Sequence, residues 1–492
     1  MTTTSGSASI TSLGVGSGLQ AESIVTKLVA LERQPISLLQ KTADKIQSKI
    51  SAFGQVQSAM STLKDAAQKL ANPDIWYSTT SSSSDTSVVN FTTSSGAATG
   101  SYSVSVSALA SGQSVVTNTA LTASTSTLGS GTLTIDLGSL DGTTLTASKT
   151  TTVSIAATDT LETIRDKIND AGAGVSATIV KDSKGARLAI SSSATGAANA
   201  FRISVDDTGD GNATDNAGLS ALAYDPAASL PGTTRTQSAK DAAASINGVD
   251  VTSSTNSFAD VLTGISFTVS KVTKTSTADV PPVVTDNPAT VTVKQDNDTI
   301  TKAINDFATS YSSLITLLRN NTKYDDATKT AGTLQGDGTA VGILNQLRAT
   351  VGGTAGNSSV FTTLSSIGVE VQSGGTLTVN STKLTNALGK LTEVKKLFAN
   401  ANLTDSSKDG VATKLRTLAS NMLGFDGALT SRTAGLNKSI QDNQKRQDEL
   451  DSRAALYEKR LRAQYTALDQ NMAGLTSTSN YVTQMITNWN KS

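Results

Sequence analysis

Near both ends of this chain, apolar residues return every seventh position. Leu39, Ile46, Phe53, Met60 and Ala67 form one series, with Ala43 and Ile50 at the alternating positions. Leu436, Ile440, Leu450, Ala454, Tyr457, Leu461, Leu468 and Leu475 hold the other seam. A seven-residue repeat keeps one helix stripe facing a neighbouring helix, so a chain built this way must find partners for both ends. Asn443, Gln447, Gln464 and Asn471 share the register of the second series. Polar residues there cost stability and fix register. Upstream, Ile24, Leu28 and Leu31 make one more stripe, which Pro35 is expected to end or kink. Glu449 with Arg453, and Glu458 with Arg462, are four apart and support exposed helix faces.

Between the ends the period drops to two. Tyr102, Val104 and Val106, and then Leu133, Ile135 and Leu137, alternate as half-buried strands do. Val153 and Ile155 predict a strand. A helix follows, with Asp159 and Glu162 as a capping box and Leu161, Ile164 and Ile168 on one face. Val175–Val180 and Arg187–Ser191 should pair across KDSKG, with FRISV as another strand. Asn247-Gly248 signals a two-residue hairpin. A short helix is expected around Phe258 to Leu262, then the strand ISFTVSKV, and VPPVVTDNP as a linker or edge connection. Helix returns with Ile300, Ile304, Phe307, Tyr311, Leu314 and Leu318, and again near Val341 to Thr350. A hairpin turns at Gly374-Gly375, and a helical zone runs from about Ala412 almost to the end.

The pattern predicts an α+β, multi-domain chain in which terminal helices form a coiled-coil leg and carry inserted β-rich head domains. The expected division is 1–42 with 452–492 as mobile terminal docking helices, and 43–77 with 297–451 as a helical leg with a β-hairpin. The head divides into 78–113 with 237–296, and 114–236 holding the helix-hairpin unit.

Composition excludes several functions. The 492 residues carry 40 basic and 40 acidic side chains, so there is no electrostatic grip for nucleic acid. Histidine and cysteine are absent, which removes thiol nucleophiles, Ser-His pairs and Cys or His metal sites. DDTGDGNATDN echoes a calcium loop through Asp206, Asp210 and Gly211, but Ala217 stands where a bidentate Glu belongs, so a surface turn is expected. Gly14, Gly16 and Gly18 lack both a preceding strand and a following Gly-Lys-Ser/Thr, so they do not cradle phosphate. No apolar run reaches the roughly 18 residues of a spanning helix, and no cleavable secretion signal is expected at the start. The chemistry on offer is packing, without enzyme activity, metal or cofactor.

Five blocks in order carry a resemblance. LGVGSGLQAESIVTKLVALERQPISLL is similar to the opening of the flagellar filament cap proteins, the FliD family. SYSVSVSALASGQSV resembles that family's early head strand, and TLETIRDKINDAGAGVSATIVKDSKGARLAISSSATG resembles the helix-and-hairpin repeat of flagellar axial proteins. INGVDVTSSTNSFADVLTGISFTV, and GVEVQSGGTLTVNSTKLTNAL with the long helix beyond it, complete the order. Gln20 and Asn380 depart from the acidic residues expected there. The resemblance implies a non-enzymatic cap: a homo-oligomeric ring, often of five, with heads as a plate and legs reaching down. Exported flagellin would fold beneath it. It also implies an export chaperone and a hook–filament junction protein as partners, an extracellular place at the flagellum tip, and a head exposed for adhesion. Leu19, Ile24, Leu28, Leu31, Leu461, Leu468 and Leu475 are the expected oligomer or filament contacts. Another axial protein (flagellin or junction protein) and a secreted adhesin remain alternatives at this point.

Overall fold

The computed structural model describes residues 20–276 and 284–490. Eight helices are present among them: α1 (Ala21–Ala71), α2 (Leu161–Asp170), α3 (Asn297–Thr322), α4 (Gly338–Gly352), α5 (Ser381–Leu388), α6 (Leu391–Ala399), α7 (Val411–Leu423) and α8 (Ala428–Trp489). The chain forms two compact units, residues 74–299 and the two flanking segments together. The combination of terminal helices and a β-rich middle is the α+β arrangement expected from the two periods.

In the flanking unit, the heptad series becomes core where several helices meet. Phe53, Met60, Leu63 and Ala67 of α1 are fully buried, as are Ile300, Ile304, Phe307, Tyr311, Leu314 and Leu318 of α3. Phe307 meets Phe398 of α6 edge to face, with ring centroids 6.0 Å apart. Ser312 ties α3 to the hairpin of Val369–Val371 and Leu377–Val379: its hydroxyl accepts from the Leu377 N–H at 2.8 Å. Asp337 caps α4 and receives two N–H donors of Arg432 from α8, at 3.0 and 2.6 Å. Asn380 caps α5 by accepting from the Lys383 N–H, so the amide does the capping work expected of an acid at this position.

The β-rich unit holds two hydrophobic clusters. One gathers Val89, Phe91, Val104, Val106, Ile246, Phe258, Phe267 and Val291. It lies on a five-stranded sheet in the order Thr79–Ser83, Ala289–Gln295, Gly100–Ala108, Ala242–Ile246, Val249–Ser253, and on a three-stranded sheet of Ser257–Leu262, Ile265–Val269 and Val89–Thr93. Phe267 stacks between Phe91 and Phe258, at 5.1 and 4.6 Å. The other cluster packs Ile164 and Ile168 of α2 with Leu133, Ile135, Leu188, Ile190, Phe201 and Leu222. Asn247 and Gly248 both take positive φ, 49° and 86°, as the tight hairpin turn requires. Asp207, buried in this cluster's edge, accepts from the N–H groups of Gly209, Leu219 and Ser220 and so closes the acidic loop on itself. Among the described residues no group of three or more acidic side chains could hold a metal ion.

Several sequence expectations need correction. Phe258 to Leu262 is a strand, not a helix: it hairpins onto Ile265–Val269, and Phe258 stacks on Phe267. The cap of α2 is Thr160, whose hydroxyl accepts from the Thr163 N–H. Asp159 is drawn away from capping by the Ala156 N–H and the Lys167 ammonium. The linker VPPVVTDNP lies partly outside the described residues, and its Val284–Asp286 pairs with Lys274–Ser276. The zone from Ala412 is two helices, separated at Gly424 to Gly427. Helix α1 runs through Pro35: Pro35 and Leu31 are both exposed, so water can solvate the Leu31 carbonyl that proline leaves without a donor.

Candidate functional site

The terminal stretches of α1 and α8 run antiparallel. Val25, Val29 and Leu461 are buried together, with Leu28, Tyr457 and Tyr465 packed against them. Two ion pairs bracket this seam. Arg462 donates to both carboxylate oxygens of Glu22, at 2.8 and 2.7 Å, and to Glu458 on its own helix at 2.9 Å. Arg453 reaches Glu32 at 2.6 Å, so the expected support from Glu449 is replaced by a cross-helix partner. Hydrogen bonding from Arg462 holds the Glu22 carboxyl below the usual carboxylate range, although partial burial pushes it up. Glu22 and then Glu458 raise the Arg462 guanidinium in turn. Further along, Asn443 donates to the Leu39 carbonyl at 3.1 Å, and Gln447 donates to the Asn443 side-chain oxygen at 2.6 Å. These two polar residues are buried in the seam as their register predicts. Gln464 and Asn471 are not: both are exposed, and Tyr465 takes the inward position.

The seven expected contact residues divide. Leu461 and Leu28 join the seam within the chain. Ile24 and Leu31 point away from it, 37% and 60% exposed, because the stripe that faces α8 is rotated to Ala21, Val25 and Val29. Leu468 and Leu475 are likewise outside the intrachain seam, 41% and 65% exposed, on a part of α8 that runs past the start of α1. Leu19 lies outside the described residues.

What the sequence reading missed is how far the α8 stripe continues. Leu468, Leu475, Val482 and Trp489 are spaced by seven, and all are exposed, as are Tyr481, Met485 and Ile486. From Gln470 to Asn490 the helix carries no charged residue. Unbroken seven-residue spacing combined with loss of charge was the available signal. An exposed stripe of large apolar side chains without charge is a surface suited to another helix. No helix among the described residues is long and apolar enough to cross a membrane.

Over 496 aligned residues the chain is 33% identical to flagellar hook-associated protein 2 of Escherichia coli (strain K12), covering 98% of this chain and 99% of that one. The chain belongs to the flagellar hook-associated protein 2 family. Models of that family's N-terminus and C-terminus match residues 17–113 and 239–477, and the flagellin hook IN motif matches 132–194. The B-type flagellar hook-associated protein 2 of Pseudomonas aeruginosa is 27% identical over 96% of both chains. Among solved structures, the D1-D2-D3 domains of the flagellar cap protein FliD from Escherichia coli superpose with a TM-score of 0.60 at 30% identity, over 78% of this chain and 99% of that one. With family membership comes the role of a flagellar filament cap, a structural part of flagellum assembly.

Proposed function

We propose that this chain is exported to the distal tip of the filament and closes there into a ring of identical subunits, often five, that retains exported flagellin and promotes its folding and polymerisation. The observation that carries this reading is the exposed, charge-free stripe Leu468–Leu475–Val482 on α8, which no helix among the described residues covers. Such a surface is stable in water only when covered, and a filament tip built from helical chain ends offers the cover. In this reading 1–42 with 452–492 is the docking element, 43–77 with 297–451 the leg, 78–113 with 237–296 the first head domain and 114–236 the second. Ile24 and Leu31 join the α8 stripe as contacts with other molecules, while Leu28 and Leu461 hold the pair together. Flagellin is the working partner, the hook–filament junction protein the one met early in assembly, and an export chaperone covers the stripe before export. The test is complementation of a cap-deficient strain with Leu475→Ser/Val482→Ser. Export at the normal level with flagellin lost to the medium supports the reading. Filaments of normal length overturn it.

A further inference from the structure

Between Val29 and Ala52, α1 has no fully buried residue, since α8 covers only one side of it there. Leu38 is 63% exposed in this stretch. Beside it opens a groove of about 600 Å³ with Leu38, Leu39 and Leu450 as its apolar lining and Arg446, Glu449 and Arg453 around them. Arg453 is held by Glu32, but Arg446 has no ion pair among the described residues. The opposite face of α8 is different in kind. Gln444, Asp448, Asp451 and Ala455 follow one another at helical spacing, all exposed, and neither acid is in an ion pair among the described residues. Asp448 lies two residues after Arg446 and Asp451 two before Arg453, so each sits about 200° round the helix from an arginine of the groove.

We propose that this groove is filled by the Gln444–Ala455 face of α8 from a second copy of the chain. The inference rests on the reading above that the chain self-associates, and it names the surfaces. The short side chains of Asp448, Asp451 and Ala455 can enter beside the leucines, and the two carboxylates complement Arg446, the groove arginine with no ion pair among the described residues. Both surfaces lie at one height along the pair, because the contact of Asn443 with the Leu39 carbonyl sets Leu38 level with Gln444. Neighbours related by an axis parallel to the helix pair therefore bring groove to acidic face without a shift along the helices. The contact is heterologous: each copy uses one surface toward each neighbour, which is the arrangement that closes into a ring.

The chain has no cysteine, so introduced thiols report without background. In the full-length chain, Leu38→Cys/Gln444→Cys under mild oxidation is expected to give a ladder of covalent multimers, while either single variant stays uncrosslinked. Asp448→Arg/Asp451→Arg should raise the concentration for assembly about tenfold, a change of the size expected when attraction becomes repulsion across a half-wet contact. Adding Arg446→Asp to that variant should restore part of the loss. Dimers from Leu38→Cys alone would mean that the groove meets its own image and overturn the proposal. If the unaltered chain assembles, but no ladder forms and charge reversal has no effect, this interface is wrong and self-association stands. If sedimentation shows the unaltered chain monomeric at every concentration, both readings fall.

Discussion

Leu461 and Leu475 sit on one stripe of α8, two heptads apart, and the structure gives them opposite jobs. Leu461 is 8% exposed against Val25 and Val29, whereas Leu475 is 65% exposed. Replacing each with Ala separates holding the pair together from docking it. At position 461 the change removes a buried side chain from a thin, two-helix contact, so the cost belongs near the lower end of the usual range, about 2 kcal/mol. At position 475 little burial is lost and Ala is the better helix former, so the cost is close to zero. Because the terminal pair opens locally, hydrogen exchange reads the effect better than a global melt. Amides of residues 21–29 should exchange about thirtyfold faster in Leu461→Ala, since 1.4 kcal/mol is a factor of ten. They should be unchanged in Leu475→Ala. Filament length should respond in the other sense for its size: Leu475→Ala should shorten filaments although it leaves the monomer intact. Equal exchange in the two variants, or normal filaments with Leu475→Ala, would refute the assignment of inward and outward roles.

Asp337→Ala removes both the buried cap of α4 and the partner of the part-exposed Arg432, and should cost about 2 kcal/mol, read by chemical denaturation, from the lost cap and the lost charged hydrogen bonds. Tyr311 is fully buried with a hydroxyl that finds no hydrogen-bond partner among the described residues, so Tyr311→Phe should leave stability unchanged or raise it. Burial pushes that phenol up to about 12, so its contribution is complete below its unfolded value near 10 and is lost as pH rises through 12. The fall in stability over that window should therefore be shallower in Tyr311→Phe, by melting at matched pH. Glu393 is depressed to about 2, first by the Lys396 ammonium and then by the Ser358 hydroxyl. Its contribution is present above about 4.5 and lost as pH falls toward 2, so Glu393→Gln should be the less stable protein at pH 6 and match the parent at pH 2.

How much of this was legible depends on how far away the deciding contact lies. The α3 seam is settled by the spacing of its own residues, and every member from Ile300 to Leu318 named from sequence is buried. The Asn247-Gly248 turn is equally local, since positive φ at two successive positions leaves few other residues. The terminal stripe of α1 was not readable in this way. IVTKLVALER offers two overlapping apolar stripes, one through Ile24, Leu28 and Leu31 and one through Val25 and Val29. What selects the second is burial of Val25 and Val29 against Leu461, Tyr457 and Tyr465, more than 400 residues away in sequence. Phe258, Val261 and Leu262 fail for a related reason. Six residues fit one turn of helix as well as a bulged strand, and Phe267 on the next strand decides.

The same contrast explains why the ends of this chain suit a docking role and its leg does not. Around Phe53 and Met60, one face of α1 is fully buried, so opening there would break core. Toward Ala21 the pair is held by Val25, Val29 and Leu461, by half-exposed ion pairs worth little each, and by a buried Asn443 that gives up apolar contact for register. Opening this end exposes little and breaks little, so it belongs to the least stable part of the fold. In the function proposed above, a surface that changes partners during export and assembly needs that property. Beyond Leu461 the stripe continues as the exposed Leu468, Leu475 and Val482, without a covering helix among the described residues. The free energy absent from the terminal pair is thus held in reserve on α8, to be released when another helix covers it.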